Sequence, residues 1–224
     1  MELQPEDTIL DFLAQTICSV PINELDSDTK RLLNIIAILY MEHGLTSASY
    51  AARICISEEG SVYSALINAI ATHKSCTPMF AWQHFDDLFN ASDADKRSFI
   101  KTYSEERRLP KPFRDFVHPC KDPRTDILMD HCDAAMLEEV MEIQKGFDGR
   151  CHLRFDVFVF HLLRRLHKNQ NQSTINAVRS MLMMPRIVGW LSHIAEQHKV
   201  KRRIEHIAAY VGPAPKHITR KTNA

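Results

Sequence analysis

Four residues, His118, Arg124, Asp156 and Arg186, combine a reactive or ionic side chain with surroundings in which it is conspicuous. His118 and Arg124 lie in FRDFVHPCKDPRTDIL (Phe113–Leu128), where Pro110, Pro112, Pro119 and Pro123 rule out a continuous helix. The segment ends as a helix begins, with Asp122 as N-cap and Pro123 at the first helical position. A histidine just upstream of free helical N–H groups is well placed to meet an anion. A proline-stiffened connector with a surface histidine would read the same way. Asp156, in RFDVFVF, is a carboxylate at the start of an apolar helix. If desolvated, it is a candidate general base; it could equally be an N-cap or pair with Arg154. Arg186, in MMPRIVGW, is a lone charge in an apolar run. Its planar fork suits a bidentate carboxylate contact, but a snorkelling arginine at a helix break fits as well.

The elements that must position these groups read as helices throughout. A short helix is expected over Thr8–Cys18. A broad apolar one follows in SDTKRLLNIIAILYMEHG, capped by Ser27 or Asp28, stopped by Gly44 and nearly apolar all round. LTSASYAARICIS is a small-residue helix. SVYSALINAIATHK gives another, with Val62, Leu66, Ala69 and Ile70 on one face. Met79–Phe89 and a helix from Ser92 or Asp93 to about Arg107 precede the proline-rich crossing. Beyond it, Thr125–Lys145 reads as one amphipathic helix, ended by Gly146 and Gly149, and Leu153–Lys168 as a buried one. Thr174–His198 should be long, with a kink or break at Pro185. No strand pair is convincing, so the fold class is all-α. The expected organisation is a helical domain over residues 1–198 and a basic C-terminal arm over 199–224.

Composition narrows the functions. The chain has 224 residues, enough for a real core, and its 28 basic and 28 acidic residues give a net charge of zero. That argues against a whole-surface nucleic-acid binder. The arm KVKRR…KHITRK has one aromatic and no recognisable module, so a solvated tail or a partner-subunit contact suits it better. Six cysteines (Cys18, Cys55, Cys76, Cys120, Cys132, Cys151) are scattered with no CxxC pair, and the N-terminus lacks signal-peptide character. Free thiols in the cytoplasm are the simplest account. His131-Cys132 and Cys151-His152, with His118 and Cys120, are too dispersed for a zinc site, and no metal is expected. No apolar run approaches the roughly 18–20 residues of a membrane helix.

Three stretches, in order, resemble the citrate synthase superfamily. Glu42–Lys74 (EHGLTSASYAARICISEEGSVYSALINAIATHK) resembles its "HGLnaS…AARv…S…ysAv.aaIgaLkG" segment. FVHPCKDPRTDIL resembles "GFGHpv.k.DPRa". RFDVF, MMPRIVGWLSHIAEQ and AAYVGP resemble "NVDf", "ARivGWiaHw.Eq" and "lYvGP". The match spans about residues 30–213. The length resembles the shorter citrate-synthase-like or citryl-CoA-lyase-like proteins, and so implies a citrate-synthase-like helical fold truncated at the N-terminus relative to full-length members.

The resemblance implies an enzyme that forms or cleaves a carbon–carbon bond between an acyl-CoA and a 2-oxo acid such as oxaloacetate. By motif, His118 would hydrogen-bond the keto or hydroxyl oxygen, Arg124 and Arg186 would hold carboxylates, and Asp156 would be the catalytic base. The coenzyme A thioester is substrate, and no resident cofactor is implied. A homodimer is implied too, with the Glu42–Lys74 helices at its interface and the arm reaching the partner's site. Neither a membrane nor a nucleic acid is an expected partner.

The departures define an alternative. Where the family usually reads "PLHGGA", this chain has KSCTPMFAW, with Thr77 or Pro78 at the place of the thioester-polarising histidine. His73 and His84 lie nearby but off the motif. Asp115 and Val117 replace the glycines of GFGH. Glu205–Ile207 (EHI) replaces the RPR before lYvGP, with Lys201, Arg202 and Arg203 slightly upstream. Losing an enolising group costs several orders of magnitude in rate. The alternative is therefore a catalytically inactive homologue that binds a carboxylate or a protein partner.

Overall fold

The computed structural model describes residues 8–42, 44–74, 87–88, 90–105, 121–146, 152–167, 172–205 and 212. Among them the regular structure is helical, as expected, and contains no strand. The Met79–Phe89 helix lies almost wholly outside these residues. So do His84, His118, most of the proline-rich crossing, the segment around Thr77 and Pro78, and most of the arm.

Helix α1 (Ile9–Leu13) opens with a capping box between Thr8 and Asp11 and continues as a π-helical turn, Ala14–Cys18. Helix α2 (Ser27–Met41) has its N-cap one residue before the expected ones. Asp26, not Ser27 or Asp28, accepts the Thr29 N–H, because its extended backbone aims the carboxylate at that donor. Helix α2 is also less enclosed than its composition suggests. Leu32, Leu33, Ile36, Ala37 and Tyr40 are buried while Ile38 is exposed. Thr46 caps α3 (Ser47–Ser57), which packs closely on α4 (Val62–Lys74). On α4 the buried line is Ala65–Ala69, with Leu66 partly covered. Val62 and Ile70 are exposed, which corrects the expected face: small side chains let α3 approach closely and turn the larger ones outward.

Ser92 caps α5 (Asp93–Glu105) by accepting the Asp95 N–H. Asp122 caps α6 (Pro123–Met129), with Pro123 in its first turn as the sequence implies. The single helix expected over Thr125–Lys145 is two, α6 and α7 (Ala134–Gly146), separated at Asp130–Asp133. The Asp130, His131 and Cys132 N–H groups bond carbonyls three or four residues back and close the last turn of α6. Helix α8 (Phe155–Leu166) is buried on almost every side. Helix α9 (Gln172–Val200) runs unbroken through Pro185 and two residues past the expected end.

Two apolar clusters form the core. One unites α1, α2, α6, α8 and the first half of α9 around Phe155, Phe158, Phe160, Leu128 and Leu182. The other unites α3, α4 and the second half of α9 around Ala48, Ala52, Ala65, Ala69, Trp190 and Ile194. Arg186 sits one helical turn from Leu182 on one side and from Trp190 on the other, so a charge lies where the clusters meet. Gly189 makes the crossing possible. A Cβ there would stand 2.1 Å from the Met41 carbonyl oxygen, so the α9 backbone passes directly over the end of α2.

Candidate active site

The start of α6 fixes Arg124. Asp122 Oδ1 accepts the Arg124 backbone N–H at 3.0 Å, and the same carboxylate receives the Arg124 Nε and Nη2 donors. Arg124 Nη1 donates to the Leu39 carbonyl at 3.3 Å. The guanidinium lies over the Phe155 ring, 4.1 Å from its centroid. Phe155 stacks on Tyr40 at 6.1 Å, and the Arg186 guanidinium covers Tyr40 at 4.8 Å. Two cations thus flank an aromatic pair, which holds them apart and supplies cation–π contacts to both.

Asp156 sits on α8 immediately after Phe155. It is not the N-cap; Arg154 occupies that position and makes no side-chain cap bond. Of the readings open from the sequence, the pair with Arg154 is realised. Arg154 Nε and Nη2 donate to Oδ1 and Oδ2, each at 2.9 Å. The negative charge of Asp156 and the positive charges of Arg186, Arg124 and Arg154 all act on Tyr40, whose phenol burial pushes up to about 12. The three arginines and the carboxylate therefore share one electrostatic neighbourhood.

Arg186 is only 5% exposed, so it does not snorkel. Burial lowers its pKa, with Tyr40 and Glu42 opposing. Its Nη1 is 3.9 Å from Glu42 Oε1, and neither Nε nor Nη1 makes a hydrogen bond. A buried guanidinium with donors unused is expensive unless an anion completes it. Arg124 and Arg154 each grip a carboxylate bidentately, whereas Arg186 does not.

Glu42 opens a network that sequence reasoning missed. Its Oε2 accepts from Ser49 Oγ at 2.9 Å and lies 3.0 Å from His193 Nε2, without the alignment of a hydrogen bond. His193 Nδ1 accepts from Arg53 Nε at 2.9 Å, and Arg53 also reaches Gln197 and pairs with Glu196. Arg53 and His193 carry a signal in the sequence, being polar residues in the small or apolar runs AARICI and GWLSHIA. Glu42 carries none.

His73 ends α4 with its ring edge-on to Trp190, 5.6 Å between centroids. Burial first, then the Arg186 charge, press its pKa down to about 4, with Asp156 opposing. It is neutral near pH 7 and stands in the field of both groups. His118 lies outside the described residues. Among those residues no group of three His, Cys, Asp or Glu side chains could hold a metal ion. Cys132 donates to the Leu128 carbonyl, and burial raises its thiol to about 11. Past α9, Lys201 adopts a left-handed φ of 52°. Arg203 then pairs with Glu58, and the Ile204 N–H donates to Ser57 Oγ. The described start of the arm thus meets the C-terminal end of α3 of its own chain.

Comparison with known proteins agrees with this arrangement of helices. The citryl-CoA lyase of Hydrogenobacter thermophilus superimposes with a TM-score of 0.68 at 14% identity, covering 96% of this chain and 88% of that one. The Thermoplasma acidophilum citrate synthase, solved as a ternary complex with carboxymethyl coenzyme A and oxaloacetate, superimposes at 0.65 and 19% identity, covering 96% and 59%. In sequence the chain is 24% identical to "Putative citrate synthase 2" of Mycobacterium tuberculosis over 193 residues, 78% of this chain and 49% of that protein. It is 22% identical to the citrate synthase of Synechocystis over 228 residues, 94% and 55%. It thus spans about half the length of the curated relatives it matches. The family model for the citrate synthase C-terminal domain matches residues 2–208, and the chain belongs to the citrate synthase family.

Proposed function

We propose that the protein is an acyl-CoA enzyme that forms or cleaves a carbon–carbon bond between an acyl-CoA and a 2-oxo acid such as oxaloacetate. The observation that carries the reading is the convergence of Arg124, Arg186 and Asp156 on the Tyr40–Phe155 pair. Fixed cations suit a dicarboxylate, and a carboxylate beside them suits removal of an α-proton from a thioester. In the forming direction Asp156 accepts the Cα proton, and the released electron pair attacks the keto carbon. The carbonyl π pair becomes an alkoxide that takes a proton from His118, and hydrolysis of the thioester then frees coenzyme A. Cleavage runs the bond-forming step backwards. Arg186 binds one substrate carboxylate with its unused donors, and Arg124 receives the other. The protein acts in the cytoplasm as a homodimer; the exposed apolar side chains of α4 support the dimer.

Release of coenzyme A thiol from acetyl-CoA plus oxaloacetate, and of oxaloacetate from citryl-CoA, tests the reading. Asp156→Asn should lower either rate at least 1,000-fold while leaving the circular dichroism unchanged. A variant as active as the parent would overturn the assignment. One observation favours the second reading, a carboxylate-binding homologue without turnover: both oxygens of the candidate base are engaged by Arg154. Under that reading citrate or oxaloacetate raises the melting temperature, and no thiol appears.

A further inference from the structure

We propose that Ser49 and His193 are positioning residues that hold the Glu42 carboxylate off Arg186, so that the Arg186 donors serve a substrate carboxylate instead of Glu42. This rests on the reading of Arg186 as a carboxylate-binding residue and adds what preserves that capacity.

A buried guanidinium and a carboxylate within reach of one another normally close into a direct, often bidentate pair. Arg124 with Asp122 and Arg154 with Asp156 do so. Glu42 and Arg186 do not. Their nearest atoms, Oε1 and Nη1, are 3.9 Å apart, and among the described residues Arg186 Nε and Nη1 meet no acceptor. The stem of Glu42 is already seated on α9, its Cβ 3.4 Å from where a Cβ on Gly189 would stand. A shift of the carboxylate by about 1 Å would bring it to the distance of a charge-assisted hydrogen bond.

The restraint acts on the other oxygen. Oε2 accepts from Ser49 Oγ at 2.9 Å and lies 3.0 Å from His193 Nε2. Both partners are themselves fixed. Ser49 is wholly buried, and its hydrogen is committed to Glu42, so Thr46 Oγ1 is the donor in the 2.9 Å contact between the two hydroxyls. His193 Nδ1 accepts from Arg53 Nε, so a neutral ring carries its hydrogen on Nε2, facing Oε2. Gln197 and Glu196 anchor Arg53 in turn. Arg186 and His193 lie about two turns apart on one face of α9. A carboxylate drawn to His193 is therefore drawn away from Arg186. Held at 3.9 Å, Glu42 still acts as a countercharge: burial lowers the Arg186 pKa, and Tyr40 and Glu42 oppose it.

Isothermal titration calorimetry of the full chain with citrate is the test, with circular dichroism to verify the fold of each variant. Ser49→Ala removes the hydroxyl and lets Glu42 pair with Arg186, so the citrate Kd should rise about tenfold or more. Glu42→Gln removes the competing charge and should bind citrate at least as tightly as the parent. In Ser49→Ala/Glu42→Gln the neutral amide is a poor rival for the guanidinium, and the Kd should return to within about threefold of Glu42→Gln alone. A merely structural Ser49 would weaken binding equally in both backgrounds. His193→Leu, alone and with Glu42→Gln, makes the same comparison should Ser49→Ala not fold. Parent-like binding by Ser49→Ala and His193→Leu, or a loss that Glu42→Gln does not reverse, would overturn the hold and leave the carboxylate reading of Arg186 standing. Binding by Glu42→Gln but not by the parent would overturn it too, since Glu42 would then already occupy Arg186. No citrate binding by the folded parent or any folded variant would remove the carboxylate reading, and the hold with it.

Discussion

At the level of single residues, the site is built from charges that satisfy one another to different degrees. Arg124 and Arg154 each hold an aspartate, while Arg186 keeps buried donors unused. The neighbouring histidine makes that polarity measurable. His73 has its pKa lowered from 6.5 to about 4, so the unfolded chain binds a proton in that interval and the folded chain does not. Stability therefore rises with pH across the window: the contribution of neutral His73 is complete above 6.5 and is lost as pH falls towards 4. By linkage the loss at about pH 5 is at most ~2 kcal/mol, with partial exposure reducing it. His73→Leu should remove that part of the dependence. Urea midpoints at pH 7 and 5 check this, and a variant whose midpoint falls as steeply as the parent's would refute it. Arg186, Asp156 and Arg124 were conspicuous in the sequence because each is a charge beside an apolar run or a helix start. Glu42 and His193 were not read as partners. The Arg53–His193 contact joins residues 140 positions apart, and such a pairing leaves no local spacing to detect.

Elements position these charges through their ends and crossings. The start of α6 was legible because Asp122 and Pro123 are local signals with a local cause. The break between α6 and α7 was not: DHCD contains neither glycine nor proline, and the apolar periodicity carries on across it. Pro185 misled in the other direction, since α9 absorbs it without ending. The decisive feature of α9 is Gly189, whose lack of a side chain lets it cross α2 beside Glu42. Gly189→Ala forces its Cβ onto the Met41 carbonyl, and the helices must separate. Overpacking of this kind costs roughly 1–3 kcal/mol. For a chain of this size that lowers the melting temperature by roughly 3–10 °C. Differential scanning calorimetry measures it, with exposed Ser192→Ala as the control expected to stay within about 0.5 kcal/mol of the parent. A Gly189→Ala protein melting with the control would show that the crossing is not tight. Under the proposed function the same variant should also bind citrate more weakly, because α9 carries Arg186.

For the whole molecule, the unbalanced feature is the outer face of α4. Tyr63 and Ile67 are 79% and 66% exposed, and Ile70 falls within the same stripe by helical periodicity. The opposite side of α4 is closed by Ala65 and Ala69 against α3, and among the described residues these larger side chains belong to neither apolar cluster. An apolar stripe on a helix whose inner face is already packed suits an interaction surface, and the homodimer proposed above would use it. The notion of a dimer through Glu42–Lys74 came from resemblance, and which side of α4 would serve it was legible only once the alanines were seen to face inward. Ile67→Asp places a charge at the centre of that stripe. Within one chain the position is solvent-facing, so the fold should change by no more than about 0.5 kcal/mol. Across a two-fold interface the charge would meet its own copy, and like charges held together without partners cost several kcal/mol. Light scattering coupled to size-exclusion chromatography should report a dimer for the parent and a monomer of 25.8 kDa for the variant. A variant that still elutes as a dimer would move the interface away from this face of α4, and a monomeric parent would remove the dimer altogether.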